Sequence, residues 1–145
     1  MNIKRVVTED ELKEAFAIRK EVFIDEQGTP DDEEYDTFDS LEADCTHILI
    51  YQDGHAVGTG RIRTVEGTGK LERICIREPF RKGGVGRHII QELEDIASEQ
   101  GLSRVKLHGQ THAEGFYHKL GYVSEPEIFY EAGIPHKLMK KELKR

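Results

Sequence analysis

Apolar and polar positions divide the chain into short runs of two kinds, and the clearest two meet at one junction. Leu71-Glu72-Arg73-Ile74-Cys75-Ile76 alternates as a strand does, and Val85 to Gln100 has helical periodicity and stops at Gly101, a favourable residue just past a helix end. Upstream, Asn2 to Val7 reads as a short strand. Thr8-Glu9-Asp10-Glu11 is a capping box opening a helix through Leu12, Ala15, Phe16, Ile18 and Arg19 to about Phe23. Thr46–Tyr51 and His55–Val65 read as strands joined at Asp53-Gly54, and Gly67 and Gly69 mark a second turn into a strand at Lys70–Ile76. Beyond the long helix come a strand at Arg104–His108, a short helix at Thr111–Leu120 closed by Gly121, a strand beginning at Tyr122-Val123-Ser124, and a last strand holding Lys137-Leu138-Met139. Gly28 to Asp44 is acidic, contains Pro30 and is weakly periodic, so it reads as a loop with room for one short helix.

The order is strand, helix, loop, three strands, helix, strand, helix, two strands. Hairpins followed by a strand–helix–strand unit imply an α/β fold, a mixed and mostly antiparallel sheet with helices on both faces. Nothing in the 145 residues repeats, and no Pro-, Gly- or Ser-rich linker divides them, so one domain is expected. A net charge of −7 argues against general nucleic-acid binding. Two cysteines, Cys45 and Cys75, make neither a disulfide framework nor a cysteine-rich zinc site, which fits a reducing cytosol. The first residues lack a signal-peptide core and no apolar run reaches membrane-spanning length, so a cytoplasmic protein without membrane association is expected.

Between strand and long helix lies Arg81-Lys82-Gly83-Gly84-Val85-Gly86. A glycine-rich turn into a helix presents amides that have no intrahelical acceptor, at the positive end of the helix dipole. That is a seat for a phosphate or diphosphate. Gly83, Gly84 and Gly86 let a ligand approach the main chain, and Arg81, Lys82 and Arg87 surround the seat with positive charge. No P-loop motif occurs, and no acidic residue follows at the distance a dinucleotide fold requires.

Those six residues match the acetyl-CoA signature of the GNAT superfamily of N-acetyltransferases, and Phe116-Tyr117-His118-Lys119-Leu120-Gly121-Tyr122 resembles that family's second signature. Both stand in the right order, so the resemblance covers nearly the whole chain. Arg19 to Gln27, with Gly133-Ile134-Pro135-His136, is similar to the bacterial YjcF/ElaA-like branch. The resemblance implies a GNAT-like fold whose fourth and fifth strands splay apart, with the backbone of Ile74, Cys75 and Ile76 pairing with the pantetheine arm of acetyl-CoA. It also implies the Ile74 amide as oxyanion donor. Many members carry Asn where this chain has Gln110, a longer amide for the same cofactor contact. Acceptor contacts follow the first helix in the family, which points to Glu26 and Gln27. A homodimer through the terminal strands or the second helix is common in the family.

Acetyl transfer to an amine requires a held thioester, a neutral amine, an oxyanion donor and a proton for the leaving thiolate. Tyr117 is the candidate general acid, because a phenol with pKa about 10 is protonated at neutral pH. The alternative role, packing the short helix on the sheet, falls to Phe116. Glu72 is the candidate base, sharing a strand face with Ile74 and Ile76 in an apolar setting; its alternative is a salt bridge to Arg61 or Arg63. His136 either lines the acceptor pocket or hydrogen-bonds a turn. The ten acidic residues within 25–44 form either an acidic lip for a cationic amine or a solvated loop. His108 and His112 are four apart without a third ligand nearby, so no metal is expected. Cys75 reads as a buried strand residue. The expected activity is direct, ternary-complex transfer from acetyl-CoA to a primary amine of a small molecule or peptide. The rivals are a non-catalytic acyl-CoA sensor and an adaptor for a basic partner.

Overall fold

The computed structural model describes residues 1–143, and among these seven strands form one sheet in the order β1-β2-β3-β4-β5-β7-β6. They are β1 (Asn2–Arg5), β2 (Thr46–Gln52), β3 (His55–Val65), β4 (Thr68–Ile76), β5 (Arg104–Gln110), β6 (Val123–Glu131) and β7 (Ile134–Glu142). The β4–β5 pair is parallel and every other pair antiparallel. The helices are α1 (Glu9–Arg19), α2 (Asp31–Glu34), α3 (Val85–Glu99) and α4 (Glu114–Lys119).

Helix α3 lies on one face of the sheet because β3 and β4 keep a lane of small residues beneath it. A Cβ at Gly58 would come within 2.9 Å of Ile89, and one at Gly60 within 3.1 Å of Ile89 and Leu93. Ile89, Ile90, Leu93 and Ala97 close over Ile48, Ile50, Val57, Ile62, Leu71, Val105 and Leu107 to form the main core. On the other face, Ala15, Ile18 and Val22 of α1 and its extension cover Leu49 and Cys75. Helices therefore cover both faces, as the pattern predicted.

The differences from the predicted elements are local. Helix α1 continues beyond Arg19 as a wider, π-helical coil over Lys20–Glu26. Gly69 is inside β4, where a Cβ would press within 3.1 Å of Ile62; the turn is Glu66-Gly67. β1 stops at Arg5, and the predicted short helix at Thr111 is a single 3-10 turn followed by α4. Tyr117 is the more buried of the neighbouring aromatics, whereas Phe116 is 39% exposed, the reverse of the packing expected from sequence.

The acidic segment after α1 is neither a free lip nor wholly solvated. Glu34 and Asp39 turn inward to Arg19, at 2.8 and 2.6 Å, while Asp36 and Asp39 reach Arg61 at 2.7 and 2.8 Å. Arg19 and Arg61 are each 1% exposed, so α2 and the loop after it are pinned to the α1 side of the sheet by a buried ionic network. Asp31, Asp32, Glu33 and Glu42 remain exposed.

Candidate active site

The site begins where two strands stop bonding. β4 pairs with β5 only through Gly69, Lys70 and Leu71, opposite Val105, Lys106 and Leu107. Past those residues the strands part, and the main chain from Glu72 to Ile76 has no strand partner on its β5 side. The gap opens into a cleft of about 990 Å³. Ile74, Cys75, Ile76, Arg81, Gly84, Gly86, Arg87, Gln110, Phe116 and Tyr117 all line it, bringing most of the expected cofactor-side residues together.

A bulge in β4 decides which side chains face which way. Thr59 pairs with Cys75 but Arg61 pairs with Glu72, so one extra residue is inserted, and Arg73 takes φ 56°. Ile74 is thereby turned to the α3 side, against Gly60, while Glu72 and Cys75 face the α1 side. This corrects the reading of Glu72 as a base in an apolar setting beside Ile74. Its carboxylate is buried and lies 2.9 Å from Arg61, 3.0 Å from Arg63 and 2.9 Å from Lys70. Although burial works against ionisation, those three cations hold Glu72 down at about 2. The salt-bridge alternative is therefore the geometry observed.

The glycine turn has the form expected of an anion seat. Gly83 and Gly84 have φ 123° and 84°, a region that side chains with a Cβ rarely adopt. The helix's first bond runs from the His88 amide to the Gly84 carbonyl at 3.2 Å, so the amides of Val85, Gly86 and Arg87 precede the hydrogen-bonded turns. Gly86 is where α3 meets the cleft floor; a Cβ there would lie 3.1 Å from the Phe116 ring. The side chain of Val85 is buried in the core, which leaves only its amide for a ligand. Lys82 and Gly83 are exposed at the rim. Arg81 is tied elsewhere: its guanidinium donates to the Ile76 carbonyl at 2.8 Å and to both Glu26 oxygens at 2.9 and 2.8 Å. That pair links the end of the π-helical segment to the turn.

Next to it, Gln110 donates to the Gln27 side chain at 3.2 Å and faces His112 at 2.6 Å. Glu26 and Gln27 thus reach across the cleft from the α1 side. Tyr117 stacks edge-on against Phe116 and Tyr122, and its hydroxyl has no hydrogen-bond partner among the described residues. Burial pushes its phenol up to about 12. Burial raises the Cys75 thiol as well, so it is held as an inert thiol.

At the far end of the cleft, β5, β6 and β7 contribute His108, Glu131 and His136. His108 and His112 diverge, one toward Glu131 and the other toward Gln110. The His136 Nδ1 lies 2.7 Å from the Ile134 carbonyl, the backbone contact that one sequence reading expected, and the ring also lines the cleft. The His108–Glu131 contact and the Arg19–Arg61 network were not anticipated. The available signal was a run of polar residues, Lys106, His108 and Gln110, at alternate positions of a strand whose other face is core.

Residues 6–143 match the model of the acetyltransferase (GNAT) domain family. The chain is 46% identical over 136 residues to YjcF of Bacillus subtilis, an N-acetyltransferase by name, covering 92% of this chain and 94% of that one. Its fold superposes on the crystal structure of ElaA from Escherichia coli with TM-score 0.86 at 26% identity, covering 98% of this chain and all of ElaA. The same fold, at TM-score 0.77 and 14% identity, occurs in an aminoglycoside 6′-N-acetyltransferase complexed with coenzyme A, with 100% of this chain and 99% of that one covered.

Proposed function

The chain belongs to the GNAT acetyltransferase family, and from that premise we propose that it moves an acetyl group from acetyl-CoA directly to a primary amine of a small molecule or peptide, both substrates being bound together. The observation that carries this reading is the parting of β4 from β5 immediately beside the glycine turn. A thioester needs an extended slot for its pantetheine arm and an anion seat at the end of that slot, and the two adjoin here. That a protein of the same fold is complexed with coenzyme A supports the choice of ligand.

In this reading the amides of Val85, Gly86 and Arg87 grip the diphosphate, with Arg87 and Lys82 adding charge. Arg81 joins them only by releasing Glu26. The free backbone of Ile74, Cys75 and Ile76 pairs with the pantetheine amides as an added strand would, and Gln110 supports the same arm. The Ile74 amide faces the developing oxyanion; a preorganised donor of this kind is worth about 3 kcal/mol. Tyr117, neutral and desolvated, gives a proton to the departing sulfur. Glu26, Gln27 and His136 border the space left for the acceptor.

Calorimetry with acetyl-CoA and thiol release across a panel of primary amines test the proposal. Binding together with amine-dependent thiol release is the expected result. Binding without release from any amine would leave a sensor, and absence of binding would overturn both.

A further inference from the structure

His108 and Glu131, beside His136, form a constellation in the cleft that the steps above leave unused. His108 Nδ1 lies 2.8 Å from Glu131 Oε2. Because an ionised carboxylate only accepts hydrogen bonds, this nitrogen must be the one that carries the proton. The ring is held in place by Phe129, edge-on at 4.9 Å between centroids, and Phe129 in turn stacks on His136 at 6.1 Å. His136 donates from Nδ1 to the Ile134 carbonyl, with Nε2 3.8 Å from the second Glu131 oxygen. His108 Nε2 is then a lone pair with no partner among the described residues, on a ring that lines the cleft.

Three other bases that line the cleft are occupied. Glu72 is held by three cations, and Glu34 is bonded to Arg19 and Arg73. His112 directs Nε2 at Gln110. A carboxylate held at about 2 is a weak base.

We infer that His108 is the proton acceptor for the amine substrate and that Glu131 is the positioning residue that fixes its tautomer. This rests on the acetyl-transfer reading. One proton passes from the substrate ammonium to His108 Nε2, freeing the nitrogen lone pair. The C–N bond forms, the C–S bond breaks, and the sulfur takes its proton from Tyr117. The remaining excess nitrogen proton restores the phenol, and the imidazolium releases its proton to solvent. The balance is one amide, one thiol and one proton from an ammonium and a thioester.

The test uses the whole protein with acetyl-CoA and three probes, n-butylamine, benzylamine and a lysine tripeptide. Slow acetyl-CoA hydrolysis, in which water takes the place of the amine, serves as the reporter if none is acetylated. The charged or titratable groups that share the cleft with His108 are Glu33, Glu34, Lys70, Glu72, Arg73, Cys75, Arg81, Arg87, His112, Tyr117, Tyr130, Glu131 and His136. His108→Gln should lower turnover at least 30-fold and abolish the rising limb of the pH profile, leaving acetyl-CoA affinity within twofold. Glu131→Gln should lower turnover about tenfold and move that limb to lower pH. In the wild-type protein, ¹⁵N NMR should place the neutral ring's proton on Nδ1, a readout independent of any acceptor. An unchanged limb in His108→Gln, or a proton on Nε2, overturns the inference while leaving acetyl transfer standing. Failure of the wild-type protein to bind acetyl-CoA overturns both.

Discussion

Replacing Glu72 with Gln separates a structural carboxylate from a catalytic one. The side chain is 7% exposed and meets Arg61, Arg63 and Lys70. Its carboxyl is held at about 2 against an ordinary 4.5, which corresponds to roughly 3 kcal/mol of folded-state stability. Because the folded value is depressed, that stability is complete above about pH 4.5 and is lost as pH falls toward 2. At pH 7, Glu72→Gln should therefore cost about 3 kcal/mol, a fall in Tm of about 10 °C for a chain of this size. The difference from wild type should narrow below pH 4.5 as the native carboxylate takes up its proton. Urea unfolding at pH 7, 5 and 4 measures the gap. Turnover of the folded variant should keep the wild-type pH profile. Unchanged stability, combined with a hundredfold loss of turnover and disappearance of the rising limb, would refute this reasoning and return the base role to Glu72.

Three further outcomes follow from the cleft. Tyr117→Phe keeps the ring between Phe116 and Tyr122, so turnover should fall about a hundredfold with acetyl-CoA affinity unchanged; a large loss of affinity would make Tyr117 a binding residue. Gly84→Ala at φ 84° should cost about 1–2 kcal/mol and weaken acetyl-CoA at least tenfold by isothermal titration, while Gly101→Ala, at φ 81° beyond the far end of α3, should bear a similar backbone cost without changing affinity. Glu26→Gln frees Arg81 from a partly exposed pair worth at most about 1 kcal/mol, so affinity for acetyl-CoA should tighten up to fivefold, and the gain should fade at high salt.

The order of elements along the chain, the helices on both faces and the glycine turn were legible because each rests on a local pattern. Thr8 and Glu11 cap α1 reciprocally, as their spacing required. Asp53-Gly54 makes the β2–β3 hairpin. The salt bridge of Glu72 to Arg61 and Arg63 stood among the sequence readings, but its face was not legible, because one inserted residue in β4 turns its side chain to the opposite face from Ile74. Strict alternation places Glu72 and Ile74 together, and no nearby residue type announces the bulge, since Arg73 is not the glycine that a positive φ favours. The inward turn of Glu34 and Asp39 was hidden for another reason. Their partners Arg19 and Arg61 are distant in sequence, so the segment read as a solvated acidic run. His108 was legible as a polar strand residue, but Glu131 is 23 residues away, and only the β5-β7-β6 order brings the two together.

In the proposed complex the amides opening α3 clasp the diphosphate of acetyl-CoA while its pantetheine arm lies between β4 and β5. A crystal structure of the protein grown with coenzyme A measures this directly. Diphosphate oxygens should lie within hydrogen-bonding distance of the Val85, Gly86 and Arg87 amides, with Arg81 released from Glu26 and the thiol between Ile74 and Tyr117. Coenzyme A bound elsewhere, with the Arg81–Glu26 pair intact and the strand gap empty, would contradict it.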